Sequence, residues 1–447
     1  MKYSVWTIGG LLIPVLILVA FFGRLDLREG NPDAGNYERF AGSMVSGEIL
    51  ELKPLEEVRY YRAVRTPGYP ALIVLATGGL KGPVSNMLLL HLALAVFTTV
   101  FIALLLSPHC PTLLSGSLVA GIFLLLRDYY PMVMTEWVAV NAIFIMSGMV
   151  VVTLRKPSSL NLALIGLLAS CAVLIRPALA PMLLVLPCLL LFRRDLSVGR
   201  LLLVPATAIP IVLWMLFNLH YIDSFTMAQL RGHNLLGIGS MIGHAESEPD
   251  DSPELKLFIE EFNAEKVPTL ADEEAFVADW DKNFNRMQFE ANIYWIAYPI
   301  MRKYQWGVIP FDRNIMGIYG QRVIAENPWR YLSYVLHGLK VYFSYAIGIP
   351  YVALLMLLIP LYALYSGTAR FACWAALTAF GIYFVHAFII AAFQAAFYRF
   401  IVITLYPFLA LATICLISIL IENGTLKKIT DRLPAWCRPL LETQEQR

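Results

Sequence analysis

The sequence predicts an all-α polytopic membrane protein: a bundle of about ten transmembrane helices carrying a mostly helical extracytoplasmic domain. Three observations lead there. Of the 447 residues, 58% are hydrophobic and only 15% are charged, against roughly a quarter charged in a soluble domain. Several apolar runs approach the ~20 residues a helix needs to cross ~30 Å of hydrocarbon. The Lys and Arg of the short loops fall on one side of those runs, which carries more information than the net charge of +2.

The first expected span is 3–23, preceded by a single lysine, Lys2. It is long for the apolar region of a cleaved signal peptide and lacks a small-x-small cleavage site, so an anchor is expected. A polar loop, 24–65, follows with seven basic and eight acidic residues. The apolar piece 68–79 is too short to span and is expected in the interface. Spans are then expected at 84–106, 113–126, 131–152, 160–174, 177–191 and 201–221. After a long polar segment come 349–365, 371–392 and 400–421. This divides the chain into a transmembrane module (1–221) with a candidate site in its first outer loop (24–83), an extracytoplasmic domain (222–348), C-terminal transmembrane helices (349–423) and a cytosolic tail (424–447).

Orientation follows from Arg155-Lys156, Arg193-Arg194 with Arg200, Arg370, and Lys427, Lys428, Arg432 and Arg438. All lie on one side, so both termini are expected in the cytosol. Counting 329–346 as a span would put the basic tail outside, so this segment is read as an amphipathic helix on the outer face.

Within the outer segment, Leu255, Phe258, Ile259 and Phe262 recur at helical spacing, as do Phe276, Trp280, Phe284 and Met287. Such stripes pack on one another or on the membrane surface. Asn327-Pro328 suits a helix start, with the asparagine as cap. Glu246, Glu248, Asp250, Asp251 and Glu254, among Pro249 and Pro253, read as a solvated flexible loop rather than a metal site. The six cysteines include no Cys-x-x-Cys pair, so redox and thiolate-zinc chemistry are not expected. Asp279-Trp-Asp281 falls in an expected helix, where residues two apart face different ways. Gly237-x-Gly239-x-x-x-Gly243 lacks the context of a dinucleotide loop. No metal or cofactor is expected.

A charge at membrane depth costs at least ~2.5 kcal/mol, so charged groups at the edges of apolar runs stand out. Arg127, Asp128, Glu136, Arg176 and Arg399 all fall toward the outer face, which suggests an enzyme more than a transporter. Asp33, in Asn31-Pro-Asp-Ala-Gly-Asn-Tyr37, is a carboxylate able to take a proton from an acceptor; the same residues also suit a turn. Arg65, in Arg65-Thr-Pro-Gly-Tyr-Pro70, with Arg176, Lys340 and Arg399, can hold a phosphate, the arginines through a planar fork. They can equally anchor span ends at lipid headgroups. Glu136 is either part of such a site or a buried carboxylate paired with Arg127 or Arg176.

Pro32-Asp33, Tyr37, Arg39, Ala41 and the closing Arg-x-Pro-Gly-Tyr-Pro resemble the first outer loop of the GT-C glycosyltransferases. The resemblance is to glycosyltransferase family 39, the dolichyl-phosphate-mannose-protein mannosyltransferase-like enzymes, and to bacterial lipid A aminoarabinose transferases. Thr135-Glu136, Trp214, Asn218, Phe225, Gly232, Asn234-Leu235-Leu236 and Tyr398-Arg399-Phe400 with Pro407 follow in the family's order. The family often carries a second acid after the first; here Ala34 stands in its place.

The resemblance implies a transferase that moves a sugar from a polyprenyl-phosphate donor to a lipid, glycan or protein acceptor of the cell envelope. It implies inversion, at the outer face of a cytoplasmic (inner) membrane. Asp33 would be catalytic, Tyr37, Tyr69, Asp128 and Glu136 would shape the acceptor site, and Arg65, Arg176, Lys340 and Arg399 would meet the donor phosphate. No nucleic acid is implied, and no metal is required if arginines hold the phosphate. Two alternatives remain: a carrier or flippase for a lipid-linked sugar, with charges along a path through pseudo-symmetric halves, and an O-antigen-type polymerase or ligase, with paired arginines and a histidine in the large outer loop.

Overall fold

The computed structural model describes residues 5–26, 32–51, 64–192, 203–222, 224–228, 230–280, 286–304, 306, 314–344, 352–394 and 398–425. Expectations resting on Asn31, Arg193-Arg194, Arg200, Asp281, Phe284, Lys427, Lys428, Arg432 and Arg438 lie outside the described residues. Among the described residues, regular structure is helical throughout.

The first half runs α1 (Val5–Phe22), α2 (Pro32–Ser46), α3 (Gly68–Ala76), α4 (Asn86–Leu106), α5 (Thr112–Leu125), α6 (Thr135–Arg155), α7 (Ser159–Ile175), α8 (Val185–Phe192) and α9 (Leu203–Ile222). A polar segment folds as α10 (Arg231–Ile242), α11 (Pro253–Glu265), α12 (Glu273–Ala278), α13 (Arg286–Ala291), a π-helical turn, α14 (Tyr298–Lys303), α15 (Ile315–Glu326) and α16 (Pro328–Ser344). The chain closes with α17 (Val352–Ser366), α18 (Arg370–Phe393) and α19 (Tyr398–Glu422).

Among the described residues, four helices are long and apolar enough to cross a membrane: α4, α6, α18 and α19 from Arg399 onward. Six further apolar helices, of 10–17 residues, lie in α1, α5, α7, the Pro177–Leu189 stretch, α9 and α17. Length alone therefore supports four spans where ten were expected. The 17 residues of α7 rise only about 25 Å at 1.5 Å each, short of a full hydrocarbon thickness. In α6 and α19, 78% and 83% of the apolar window is buried, against 39% in α4 and 44% in α18, so α6 and α19 form the centre. They touch each other, and α6 also packs on α4, α7 and α18.

The helix ends sort into two groups. At one end, Thr112 Oγ1 donates to the Thr7 carbonyl (3.2 Å), His109 Nδ1 meets Glu422 (3.0 Å), and Glu422 accepts from the Ala369 N–H (2.8 Å). The Arg155 guanidinium lies over Phe371 there, 4.2 Å from its ring centre. At the opposite end Phe22 packs on Tyr130 (4.5 Å), and the charged residues described below converge.

The polar segment departs from expectation in two places, the second apolar stripe and the acidic stretch. The α11 stripe Leu255, Phe258, Ile259 and Phe262 is buried, but the second stripe breaks. Phe276 and Trp280 are buried whereas Met287 is 55% exposed, because α12 ends before Asp279. The acidic stretch is tied down rather than loose: Arg322 makes two hydrogen bonds of 2.7 Å to the two oxygens of Asp251, and Asp251 accepts from the Glu248 N–H. The helix expected to start at Asn327-Pro328 does start at Pro328, and the Asn327 side-chain amide donates to the carbonyl of Val323 (3.0 Å), closing α15. The segment read as an amphipathic helix is one, α16, and it docks on the bundle. It runs antiparallel along α18: Tyr331 donates to the Ala392 carbonyl (2.8 Å), Gly338 abuts Ala391, and the Tyr342 carbonyl accepts from Tyr383 (3.2 Å). Its tyrosines supply both the buried area and the hydrogen bonds that hold it there. The glycines of 237–243 serve packing: Gly239 rests on Gly320, where an added Cβ would come within 2.9 Å.

Candidate functional site

Asp33 lies in the first turn of α2. Pro32 opens the helix, where its missing N–H costs nothing, and a carboxylate is favoured by the helix N-terminus. The helix buries Tyr37, Phe40 and Ala41, three or four residues apart. Tyr37 packs edge-on against Tyr69 of α3 (5.0 Å) and Phe40 against Trp214 of α9 (6.2 Å). These contacts fix which way Asp33 points.

Arg65 precedes α3. Three residues on in the same motif, Gly68 touches the end of α7: a Cβ there would sit 2.6–2.7 Å from the backbone of Leu174 and Ile175. Only glycine permits that approach. The Arg-x-Pro-Gly motif is thereby pressed against the residues that lead into Arg176.

Five charged side chains from five separate stretches meet here. Arg65 donates to Asp33 Oδ1, and Arg399 Nη1 lies 3.5 Å from Asp33 Oδ2. Arg176 Nη1 pairs with Glu136 Oε1 (3.1 Å) and donates to Thr135 Oγ1 (2.7 Å). Arg399 Nε is 4.0 Å from Glu136 Oε1, an ion pair too long to be a hydrogen bond. The guanidiniums of Arg176 and Arg399 both lie over the ring of Phe400, at 5.0 and 5.2 Å, a cation–π arrangement that lets two like charges share one platform.

Three arginines against two carboxylates leave one net positive charge. Solvent reaches the two layers unequally: Asp33 and Arg399 are 28% and 26% exposed, Glu136 only 2%. Glu136 also faces a narrow crevice lined by Leu126, Tyr129, Trp137, Val140 and Ile403. Burial alone would raise the Asp33 carboxyl. Arg65 and Arg399, with Arg176 behind them, outweigh it and hold the group below the usual carboxylate range. Asp33 is thus an ionised carboxylate whose basicity is held down by its arginines.

Tyr37 stands beside this cluster with the Arg65 guanidinium over its ring (5.1 Å). Burial pushes its phenol up, so it stays a neutral donor. Behind it a buried polar ladder runs from Tyr69 to His91 Nε2 (3.3 Å) and from His91 Nδ1 to the Tyr130 carbonyl (3.0 Å). Trp137 Nε1 donates to the His91 carbonyl (2.9 Å). The ladder ties α3 and α4 to α6, which carries Glu136.

Of the residues singled out in the sequence, Asp33, Arg65, Glu136, Arg176 and Arg399 share this cluster, with Tyr37 and Tyr69 packed beside it. Glu136 pairs with Arg176. Asp128 lies on the 3-10 turn Arg127–Tyr129 and Lys340 on α16. Sequence reasoning missed Phe400 as the platform, Thr135 as the Arg176 acceptor and His91 in the ladder. Phe400 lies in an apolar run and gives no signal; Thr135 stands next to a buried acid, which is a weak one. Compared with protein-family models and with curated proteins, the chain finds no match in either.

Proposed function

We propose that the protein is a GT-C-like membrane glycosyltransferase with about ten spans, transferring a sugar from a polyprenyl-phosphate donor to an envelope acceptor. The observation that carries this is the gathering of Asp33 with Arg65, Arg176 and Arg399 at one end of the apolar bundle. A transferase of this kind needs a carboxylate next to cations that can take a phosphate. The net positive charge suits a phosphodiester, and guanidinium forks match its oxygens.

In the reaction, the acceptor O–H or N–H attacks the anomeric carbon opposite the phosphate. The bond from that carbon to the phosphate oxygen breaks, and polyprenyl phosphate leaves with the electron pair. The acceptor's proton goes to Asp33. In the free protein Asp33 is the counter-ion of Arg65 and Arg399. A donor phosphate that draws those guanidiniums away relieves Asp33 of the charges that depress its basicity, so donor binding readies the base.

Sidedness follows from charge. Arg155, Lys156 and Arg370 lie at the end opposite Asp33, which the positive-inside rule assigns to the cytosol. Both termini are then cytosolic and the Asp33 end faces outward from a cytoplasmic membrane. Reporter fusions after Ser158 and Asn423 are expected to report cytosol and fusions near Asp251 the outside; a cytosolic Asp251 would contradict the assignment.

Arg399→Ala is expected to weaken use of the lipid donor, seen as a raised KM for a labelled polyprenyl-phosphate sugar, in a protein that still inserts and folds. Arg399→Lys should recover only part, since an ammonium cannot make the paired contact. Full activity in the alanine variant would return Arg399 to a lipid-anchoring role.

A further inference from the structure

The 15 residues of α17 rise about 22 Å at 1.5 Å each, short of the ~30 Å of hydrocarbon that a crossing covers. α17 runs antiparallel to α18 from the end near Arg370, where the Pro360 carbonyl accepts from Cys373 Sγ (3.1 Å). α16 lies on the same helix further along. Its Tyr342 carbonyl accepts from Tyr383, its Gly338 abuts Ala391, and its Tyr334 donates to the Gln394 carbonyl (3.1 Å). Along α18 from Cys373 to Gln394, the contacts thus pass from α17 to α16, and the two helices also touch each other. Both are antiparallel to α18, so they follow one line across the bundle.

α18 is long and apolar enough to span, and its Phe384 and Phe388 are exposed, so lipid covers the bundle at their level. Phe343 lies beside Phe384 (6.0 Å between ring centres). The Tyr342 hydroxyl reaches Thr404 (2.7 Å), well inside α19. The end of α16 is therefore at membrane depth. Trp329, Leu336 and Phe343 recur every seven residues and share one face of α16, which Leu332 joins. Trp329, Leu332 and Leu336 are exposed. The other faces are taken: Tyr331, Gly338 and Tyr342 by α18, Tyr334 and His337 by the Trp280 ring (5.8 and 6.0 Å). Lys340 is also exposed. Helical side chains lean toward the N-terminus, here toward the Asp33 end of the bundle, so its stem carries the ammonium back to the headgroups.

We propose that α16 and α17 share one membrane crossing, with the second half of α16 embedded in the leaflet at the Asp33 end. The partner of its exposed apolar face is that leaflet. Acyl chains meet Leu336 and Phe343, and headgroups surround Trp329, a residue type suited to that boundary. Because α16 completes α17 instead of adding a crossing, both termini stay on one side. Tyr342 also donates to the Phe400 carbonyl (3.2 Å), so the lipid-facing helix is bonded to the residue beneath Arg176 and Arg399. The proposal stands independently of sugar transfer.

Depth-resolved quenching tests it. The purified full chain is placed in nanodiscs whose lipids carry bromine on the acyl chain, either near the headgroup or near the terminal methyl, and tryptophan emission is read. The chain has nine tryptophans, so Trp329 is read as the difference between wild type and Trp329→Phe. Leu336→Trp and Phe343→Trp, each added to Trp329→Phe, are read as differences from that single variant. Each step of seven residues carries the indole about 10 Å further in. The ratio of deep to shallow quenching should therefore rise from Trp329 to Leu336→Trp to Phe343→Trp, with Trp329 answering mainly to bromine near the headgroup. Equal ratios at all three would overturn the proposal by laying α16 flat on the membrane surface. Absence of quenching at Leu336→Trp would overturn it too, placing that face in water or under another protein. Should Phe343→Trp fail to fold, the comparison of Trp329 with Leu336→Trp, both exposed positions, decides alone.

Discussion

Asp33→Asn is expected to lower sugar transfer by about 10²–10⁴-fold, the range for losing a general base, in a protein that keeps its fold. Asparagine preserves size and shape but takes no proton at neutral pH. The sharper expectation concerns binding. Asp33 is the counter-ion of Arg65 and Arg399, so its carboxylate competes with the donor phosphate for them. Removing the negative charge should therefore leave donor affinity equal or tighter while turnover collapses. Asp33→Glu displaces the carboxylate by a methylene, about 1 Å, enough to lose orders of magnitude in a positioned site. Turnover by Asp33→Asn at the wild-type rate would reduce Asp33 to a helix-capping residue.

Arg176→Ala is expected to be the most damaging single change to stability. Its partner Glu136 is 2% exposed, and removing one member of a buried ion pair costs about 3–5 kcal/mol because the other charge is stranded. The measurement is thermal unfolding of the purified protein, which should show a large drop. Pairing Arg176→Met with Glu136→Gln removes both charges and should restore most of the melting temperature. Transfer should stay lost in that double variant, since the phosphate has lost one of its two Phe400-stacked guanidiniums. If the double variant regains transfer along with stability, Arg176 holds helices together and does nothing for the donor.

Much of the cluster was legible in the sequence because charge in an apolar chain is conspicuous. Glu136, Arg176 and Arg399 each interrupt or border a hydrophobic run, and such residues must find partners. Asp33 and Arg65 stood out in a polar stretch that closes with Arg-Thr-Pro-Gly. What could not be read was which charges meet: Asp33 and Arg399 are 366 positions apart, and no periodicity links them. Gly68 gave no hint of its role, because that role depends on the backbone of Leu174 and Ile175. Neither did Phe400, one aromatic among many in apolar helices. The docking of α16 shows a limit of patterning. Trp329, Leu332 and Leu336 on one face and Tyr331, Tyr334 and Tyr342 on another make it amphipathic, and the same pattern serves a helix on a membrane surface or one docked on α18. The tyrosine hydroxyls decided it, since each finds a partner there: Ala392, Gln394 and His386. The expected flexible acidic loop failed for a similar reason, its Arg322 lying 71 residues from Asp251.

The central claim is that a bond to a polyprenyl phosphate is broken and its sugar delivered to an acceptor. The most direct measurement incubates the purified wild-type protein with polyprenyl-phosphate sugars labelled in the sugar, together with an envelope lipid extract, and follows the label and the anomeric configuration. The prediction is covalent transfer to an acceptor with inverted configuration, matched by release of free polyprenyl phosphate, and loss of both in Asp33→Asn. Recovery of the labelled donor intact, bound or moved across a bilayer with its sugar–phosphate bond unbroken, would contradict it and make the protein a carrier.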